Sequence, residues 1–173
     1  MNFKYSIITS ILVLFGLSFS TSLFAQSAEA NFTVSKIVES SADEVWGLLR
    51  KMDDIDKYSS AISKVNWTGN KGVGGQRVCT TPDGQGYFKE SIVKFDDNAR
   101  TYSYALIEGV PTKGMVNNFK VLDLGYKKSM IVWTSSYEKF IENPQMTEAQ
   151  FAGFINSSIN EMIDNIVAET KKS

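Results

Sequence analysis

The sequence predicts an α+β domain in which one antiparallel sheet is covered by a long C-terminal helix. Seven short segments with the alternation and residue types of strands are separated by turn residues. One long amphipathic helical pattern follows Pro144. The 173 residues, of which 43% are hydrophobic, are enough for one domain with a core and too few for two.

The first 27 residues have the layout of a secretory signal peptide. One cation, Lys4, precedes an apolar run over residues 7–19, and small and polar residues follow it. The run is shorter than the roughly 20 residues that a membrane-spanning helix needs. We therefore expect cleavage near residues 25–27, a single mature domain over residues 28–173, and export to the periplasm or the medium. An uncleaved membrane anchor is the alternative.

The elements near the start of the mature chain are a strand and two short helices. Apolar and polar residues alternate over residues 32–38, which predicts the first strand. Ser41 and Glu44 form a capping box, and apolar residues at helical spacing come after it. Residues 52–58 are typical of a second helical turn.

Six further strands and the long helix complete the predicted order. Turn-forming residues between the β-prone segments favour hairpins and therefore an antiparallel meander. The predicted strands are residues 62–67, 76–81, 87–95, 101–107, 115–122 and 129–137. Thr147 and Gln150 make a second capping box, and apolar residues then recur at helical spacing through Val167. We expect this helix of about 22 residues to lie on the sheet.

Composition excludes several kinds of chemistry. There is no histidine and only one cysteine, Cys79, so a histidine-dependent triad, a histidine-ligated metal and an intrachain disulfide are excluded. The net charge of −1 gives no electrostatic reason to expect nucleic acid as a partner. We expect no cofactor and no metal site, and we expect Cys79 to be a small buried apolar side chain.

The order and spacing of these elements resemble a known superfamily. Three segments carry the resemblance: SADEVWGLLRKMDDIDKYSSAISKV (residues 41–65), VGGQRVCTTPDGQGYFKESIVKFDDNARTYSYALIEGVP (73–111) and KKSMIVWTSSYEKF (127–140). They are similar to the polyketide cyclase/dehydrase and lipid-transport branch of the START/Bet v 1-like (SRPBCC) superfamily. The resemblance implies the helix-grip fold, in which a curved seven-stranded sheet wraps around the long helix. It also implies a cavity for lipids, sterols or polyketides.

Candidate ligand-binding residues come from strand alternation and from this resemblance. Alternation places aromatic and polar residues together on one face of the strands. Relatives that bind a hormone have inward positions at several of these sites, and the start of the long helix would cover them. The predicted ligand-binding residues are Ser63, Arg77, Glu90, Tyr102, Tyr104, Phe119, Val121, Trp133, Ser135, Tyr137, Phe151, Phe154 and Ile155. The alternative is that all of them are ordinary core.

Glu90 and Arg77 are the charged residues of this set. Arg77 could hold a ligand carboxylate in a bidentate fork, or the two residues could form a structural pair between neighbouring strands. Glu90 is also a candidate general base for abstracting a proton next to a carbonyl. Since there is no histidine, Glu90 together with Tyr102, Tyr104 or Tyr137 would have to supply all of the acid–base catalysis.

The loop of residues 108–114 is a candidate gate. Gly109 and Gly114 could serve as hinges, and Pro111 stiffens the tip. The resemblance places this loop over the cavity entrance. The alternative is a plain hairpin connection.

These observations lead to three hypotheses about function. The first is an exported protein that binds a small hydrophobic molecule, such as a lipid, sterol or polyketide-like compound, without membrane insertion once the leader is removed. The second is a cofactor-independent cyclase, dehydratase or isomerase that uses Glu90 as base. The third is a partner-binding or stress protein with a filled cavity. We expect a monomer, with a dimer as the alternative.

Overall fold

The structure is a computed structural model that describes residues 31–172. The predicted leader, residues 1–27, lies outside this range. The helices are α1 (Ala42–Leu49), a 3-10 turn (Ile55–Lys57) and α2 (Glu148–Thr170). The strands are β1 (Phe32–Val38), β2 (Lys64–Thr68), β3 (Gln76–Thr80), β4 (Tyr87–Asp96), β5 (Thr101–Glu108), β6 (Thr112–Lys113), β7 (Val116–Gly125), β8 (Lys128–Ser136) and β9 (Lys139–Phe140).

Seven strands form one antiparallel sheet, which confirms the predicted fold class. Their order across the sheet is β1-β8-β7-β5-β4-β3-β2. The strands from β2 to β8 follow one another as the predicted meander, apart from the short β6. Strand β1 joins at the far edge, where it pairs with β8. This last pairing joins strands that are distant in the sequence, and local patterns carry no signal for it.

Both predicted capping boxes are present at the helix starts. The Ser41 hydroxyl accepts from the Glu44 amide, and a Glu44 carboxylate oxygen accepts from the Ser41 amide at 2.9 Å. At α2, the Thr147 hydroxyl accepts from the Gln150 amide at 3.2 Å, and Gln150 Oε1 accepts from the Thr147 amide at 2.8 Å. Each box satisfies backbone N–H groups that a helix start leaves unpaired. The second short helix of the prediction is the single 3-10 turn.

The core is packed at one end of the interface between sheet and helices. Helix α1 packs against β7, β8 and α2. There the Trp46 ring lies against Phe95 and Tyr102, with centroids 5.9 and 6.3 Å apart, and Tyr102 lies 5.5 Å from Phe119. The last turns of α2 bury Ile163 and Ile166 on this core. The first turns of α2 extend past it, over β3, β4 and β5, and this is where the site lies.

Neither helix of the described range has the length and apolar character needed to cross a membrane.

Candidate functional site

A cavity of about 70 Å³ lies between the inner face of the sheet and the first half of α2. Five strands, one helix and two connecting segments contribute to its wall, which is mostly apolar. The strand residues are Arg77, Phe88, Glu90, Tyr104, Leu106, Asn117 and Trp133. Helix α2 adds Phe154, Ile155, Ser158, Ile159 and Met162, and the connections add Ile55, Ser59, Ala61, Ile62, Val110 and Met115.

The cavity is narrow for a ligand site. Pockets for drug-sized ligands usually measure about 300–1,000 Å³, several times the 70 Å³ found here. Phe154 lines the cavity and is 39% exposed, so its ring is less confined than the buried side chains of the wall. A ligand with more than a few heavy atoms must displace side chains such as this one to enter.

The most polar part of the wall is a buried ion pair between β3 and β4. Arg77 and Glu90 stand directly opposite each other in the strand register. Arg77 is only 1% exposed; its Nε donates to Glu90 Oε2 and its Nη1 donates to the Met52 carbonyl. Its guanidinium carbon also lies 4.8 Å from the centre of the Tyr104 ring. The structural pair, one of the two interpretations of Arg77, is therefore the arrangement present.

The charges of Arg77 and Glu90 affect the pKa values of the pair's neighbourhood. Burial disfavours the charged form of Arg77 and is the largest single effect, but the Glu90 carboxylate together with the neighbouring tyrosines and Cys79 raises the arginine pKa on balance. Cys79 Sγ lies 3.9 Å from Glu90 Oε2 as a weak donor. Burial, together with the Glu90 charge, raises the Cys79 pKa to about 12, so the thiol is protonated and unreactive at neutral pH.

The two tyrosines on the inner face of β5 are neutral at physiological pH. Tyr104 Oη accepts a hydrogen bond from Trp133 Nε1 at 3.3 Å, and burial raises the Tyr104 pKa well above its ordinary value. Burial also raises the Tyr102 pKa to about 12. The Tyr102 hydroxyl has no hydrogen-bond partner among the described residues. Both hydroxyls can donate a hydrogen bond, and neither can act as a base near pH 7.

A second cross-strand pair is uncharged, and oxygen atoms of both its side chains lack hydrogen-bond partners. Asn117 on β7 stands opposite Ser135 on β8, and both side chains are buried. Asn117 Oδ1 and Ser135 Oγ have no hydrogen-bond partner within residues 31–172. Buried polar atoms in folded proteins are almost always hydrogen-bonded, so such atoms beside a cavity need an explanation.

The predicted site residues divide into two groups in the structure. The residues that line the cavity are Arg77, Glu90, Tyr104, Trp133, Phe154 and Ile155. The residues outside its wall are Ser63, Tyr102, Phe119, Val121, Ser135, Tyr137 and Phe151.

Five residues of the second group are packed against other side chains and do not face the cavity. Tyr102, Phe119 and Val121 are buried in the packed core with the residues of α1. Tyr137 and Phe151 pack together at the start of α2, with ring centroids 6.4 Å apart. Alternation identifies the face of a strand, but it cannot tell which level along the strand a helix fills.

Tyr137 and Ser63 are engaged in local hydrogen bonds. The Tyr137 hydroxyl donates to Glu148 Oε1 at 2.6 Å; partial burial and this carboxylate raise its pKa to about 12. Ser63 is exposed, and its hydroxyl donates to the carbonyls of Thr80 and Thr81. These contacts join neighbouring segments of the chain and leave both hydroxyls outside the cavity.

Several lining residues were not among the predicted site residues. Phe88, Leu106 and Asn117 each lie two positions from a predicted site residue on the same strand, so strand alternation carries a signal for them. The apolar spacing of α2 likewise included Ile159 and Met162. The loop residues Ile55, Ser59, Ala61, Ile62, Val110 and Met115 gave no such signal.

The candidate gate loop is held by a small second sheet. Strands β6 and β9 pair, and the Pro111 carbonyl accepts from the Ile141 amide at 2.8 Å. Gly109 has a φ of 93°, and a Cβ there would lie 2.0 Å from the Tyr87 carbonyl oxygen, so this position requires glycine. Gly114 also has a positive φ. Of this loop, Val110 lines the cavity, and gating stays a hypothesis that would require these bonds to open.

Within the described range, no three acidic or cysteine side chains are placed together to hold a metal ion.

Solved structures with the same fold include proteins of several kinds. XoxI from Bacillus cereus is 17% identical, with 82% of this chain and 96% of that chain covered and a TM-score of 0.71. Norcoclaurine synthase from Thalictrum flavum, in complex with dopamine and hydroxybenzaldehyde, is 19% identical, with 82% and 86% covered and a TM-score of 0.66. The Zhui aromatase/cyclase from Streptomyces sp. R1128 is 13% identical, with 82% and 93% covered and a TM-score of 0.71. At these identities the likeness establishes the fold alone.

The family follows from the sequence match. No curated protein sequence matches this chain. Residues 29–170 match the family model described as polyketide cyclase / dehydrase and lipid transport, which spans the whole described domain apart from its last residues. The chain therefore belongs to the polyketide cyclase/dehydrase and lipid-transport family of the SRPBCC superfamily.

Proposed function

We propose that this protein is an exported binding protein that holds a small, largely apolar molecule between the sheet and α2. The observation that carries the proposal is the cavity, whose apolar wall includes a few polar groups, among them the side-chain amide of Asn117. This combination is how sites for small ligands are usually built. Membership of the family supports a lipid, sterol or polyketide-like ligand. The leader-like residues 1–27 support export.

The protonation states and hydrogen bonds of the polar side chains favour ligand binding over catalysis. The chain has no histidine, the tyrosines Tyr102 and Tyr104 are neutral, and Arg77 is engaged by Glu90 and by a backbone carbonyl. A general base or acid needs a pKa near the working pH, and these tyrosines lie far above it.

The proposal is tested by examining what the purified protein carries. Native mass spectrometry after gentle extraction should reveal a bound apolar molecule. A thermal-shift panel of lipids, sterols and aromatic acids should contain at least one compound that raises the melting temperature. A protein that carries nothing and responds to no compound of the panel would contradict the proposal.

A pair of neighbouring substitutions on α2 locates the site of binding. Ser158 lines the cavity, and Ser157, beside it, is exposed and outside the wall. Ser158→Trp should fill the cavity and abolish the thermal shift, whereas Ser157→Trp should leave the shift unchanged. Equal behaviour of the two variants would place the ligand elsewhere on the protein.

The second candidate function is a cofactor-independent cyclase, dehydratase or isomerase. The observation that favours it is that Glu90 lines the cavity beside Tyr104 and uses Oε2 for its bond with Arg77, so that Oε1 can face a substrate. With a synthetic poly-β-ketone thioester as substrate, Glu90→Gln should abolish turnover and leave substrate binding intact. Turnover that is unchanged in this variant would remove Glu90 from the role of base.

The third hypothesis, a partner-binding protein with a filled cavity, has one observation in its favour. The cavity volume of about 70 Å³ is several times smaller than the volume of a usual ligand pocket. If this hypothesis is correct, Ser158→Trp will alter neither ligand content nor thermal shifts, because neither exists in the unchanged protein.

A further inference from the structure

Asn117 contributes to the cavity wall an amide group that the protein does not use. The residue is 2% exposed and lines the cavity, and neither of its amide atoms has a hydrogen-bond partner among residues 31–172. The two atoms differ in access, because Oδ1 is closed off within the fold whereas Nδ2 keeps accessible surface. The atom of Asn117 that a ligand can reach is therefore Nδ2, which is a hydrogen-bond donor.

A second donor belongs to the same part of the wall. Tyr104 on β5 stands directly opposite Asn117 on β7, and both residues line the cavity. The Tyr104 hydroxyl accepts from Trp133 Nε1, and its own proton has no acceptor in the described part of the chain. Burial raises the Tyr104 pKa well above its ordinary value, so the hydroxyl keeps this proton at neutral pH. Two neighbouring strands thus each supply a donor that the protein leaves without an acceptor.

The charged groups of the wall disfavour an anionic ligand. Arg77 is the only cationic side chain of the wall that the structure describes, and it is bonded to Glu90 and to the Met52 carbonyl. A ligand carboxylate would lose its hydration beside the Glu90 carboxylate, where the one cation is already paired.

The ligand group that fits these donors is an uncharged acceptor. A carbonyl oxygen carries two lone pairs, and it brings no proton that would itself need an acceptor in a mostly apolar wall. A buried donor that stays without an acceptor is unfavourable, so a bound carbonyl group would satisfy a need that the empty cavity leaves open.

We propose that the cavity selects an uncharged ligand with a carbonyl group, and that Asn117 Nδ2 donates a hydrogen bond to the carbonyl oxygen. The inference rests on the proposed binding function and narrows the ligand to ketones or esters on an apolar skeleton. It assigns Asn117 as the residue that discriminates a carbonyl compound from a hydrocarbon of the same shape, with Tyr104 as the second donor of the same wall.

The test compares three probes of nearly equal size and shape: acetophenone, α-methylstyrene and benzoate. Acetophenone has a carbonyl oxygen where α-methylstyrene has a methylidene carbon, and benzoate is the charged analogue. Titration of isotope-labelled protein followed by NMR spectroscopy gives the dissociation constants and also reports on the Asn117 side chain. In the unchanged protein, the side-chain amide protons of Asn117 should move downfield with acetophenone and not with α-methylstyrene.

Two variants of adjacent asparagines assign the preference to one residue. The ratio of the α-methylstyrene to the acetophenone dissociation constant is compared between proteins, so that the different hydration of the two probes cancels. Asn117→Leu should lower this ratio about tenfold, the effect of one well-formed hydrogen bond in a desolvated site. Asn118 is the matched control, because it points to the other face and its Oδ1 already accepts from Thr101 and Ser103. Asn118→Leu should leave the ratio unchanged even if the protein is less stable.

The outcomes separate carbonyl selection from the binding function on which it rests. A ratio that is unchanged in Asn117→Leu overturns carbonyl selection by Asn117, and the binding of the probes leaves the proposed function standing. Tightest binding of benzoate also overturns it, because a free cation must then face the cavity. If no probe binds, carbonyl selection fails, and the mass spectrum of the purified protein decides the proposed function separately. If Asn117→Leu does not fold, the response of the Asn117 amide protons in the unchanged protein decides.

Discussion

Two buried cross-strand pairs differ in how far their hydrogen-bonding groups are satisfied; the first places both residues in the cavity wall, and the second places only Asn117 there. The charged pair, Arg77 and Glu90, is bonded internally and to the Met52 carbonyl. The neutral pair, Asn117 and Ser135, is equally buried and in direct register, yet Asn117 Oδ1 and Ser135 Oγ have no partner in the described part of the chain.

The contrast follows from the cost of leaving each kind of group unpaired. Breaking a buried ion pair costs about 3–5 kcal/mol, a large part of the 5–15 kcal/mol that stabilises a typical domain. An unpaired neutral acceptor costs about 1–3 kcal/mol. The fold must therefore satisfy its buried charges, whereas it can leave a neutral group for a ligand. In this cavity, the charged groups most easily noticed in the sequence are hydrogen-bonded within the protein, whereas the Asn117 amide oxygen has no partner among residues 31–172.

The largest effect is expected from removing one member of the charged pair. Arg77→Met leaves Glu90 buried without its cation and removes the bond to the Met52 carbonyl. We expect the free energy of unfolding to fall by about 3–5 kcal/mol. Urea denaturation followed by circular dichroism measures this directly.

A double variant distinguishes the loss of pairing from the loss of packing. Arg77→Met combined with Glu90→Leu removes both charges and should recover most of the stability lost by the single variant. A loss below about 1 kcal/mol in the single variant would mean that the charged pair is solvated rather than structural, and that Arg77 is available to a ligand.

The sequence predicts the fold well because local rules govern most of it. The capping residues Ser41 and Thr147, with their partners three positions later, mark helix starts through backbone bonds that reach no further than one turn. Strand alternation is equally local. The pairing of β1 with β8 is not, since these two strands lie far apart in the chain.

The candidate site is less predictable because its boundaries depend on three-dimensional placement. Trp133 and Phe119 stand opposite each other on neighbouring strands and both are buried, yet only Trp133 lines the cavity. Asn117 lies two positions before Phe119, so alternation places it on the same face of its strand. A sequence cannot show that an amide lacks a donor, because this depends on the direction of every neighbouring hydroxyl.

A second prediction concerns Tyr102, whose unpartnered hydroxyl lies beside the charged pair. Its pKa is raised from 10.0 to about 12 by burial. The unfolded chain therefore loses this proton first, so the stability that Tyr102 contributes is complete below pH 10 and is lost as the pH rises to about 12. Relative to Tyr102→Phe, the unchanged protein should lose about 2–3 kcal/mol over that interval. Denaturation curves at pH 8 to 12 measure the difference.

The matched control for this titration is a tyrosine in solvent. Tyr126 is 99% exposed, so Tyr126→Phe should follow the unchanged protein at every pH. At pH 7 Tyr102→Phe should be as stable as the unchanged protein or more so, because it removes a buried group without a partner. A loss of more than about 1 kcal/mol at pH 7 would show that the hydroxyl is bonded, and the charged pair would then extend to Tyr102.

The smallest effect is expected from Ser135→Ala. It tests whether Ser135 and Asn117 are hydrogen-bonded to each other. Ser135→Ala should change the free energy of unfolding by less than about 0.5 kcal/mol, because no hydrogen bond is lost. The same substitution at Ser103 removes the 2.9 Å bond to Asn118 Oδ1 and should cost about 1 kcal/mol. If both substitutions cost the same, the Ser135 hydroxyl bonds Asn117 in solution. The neutral pair would then be hydrogen-bonded internally, as the charged pair is.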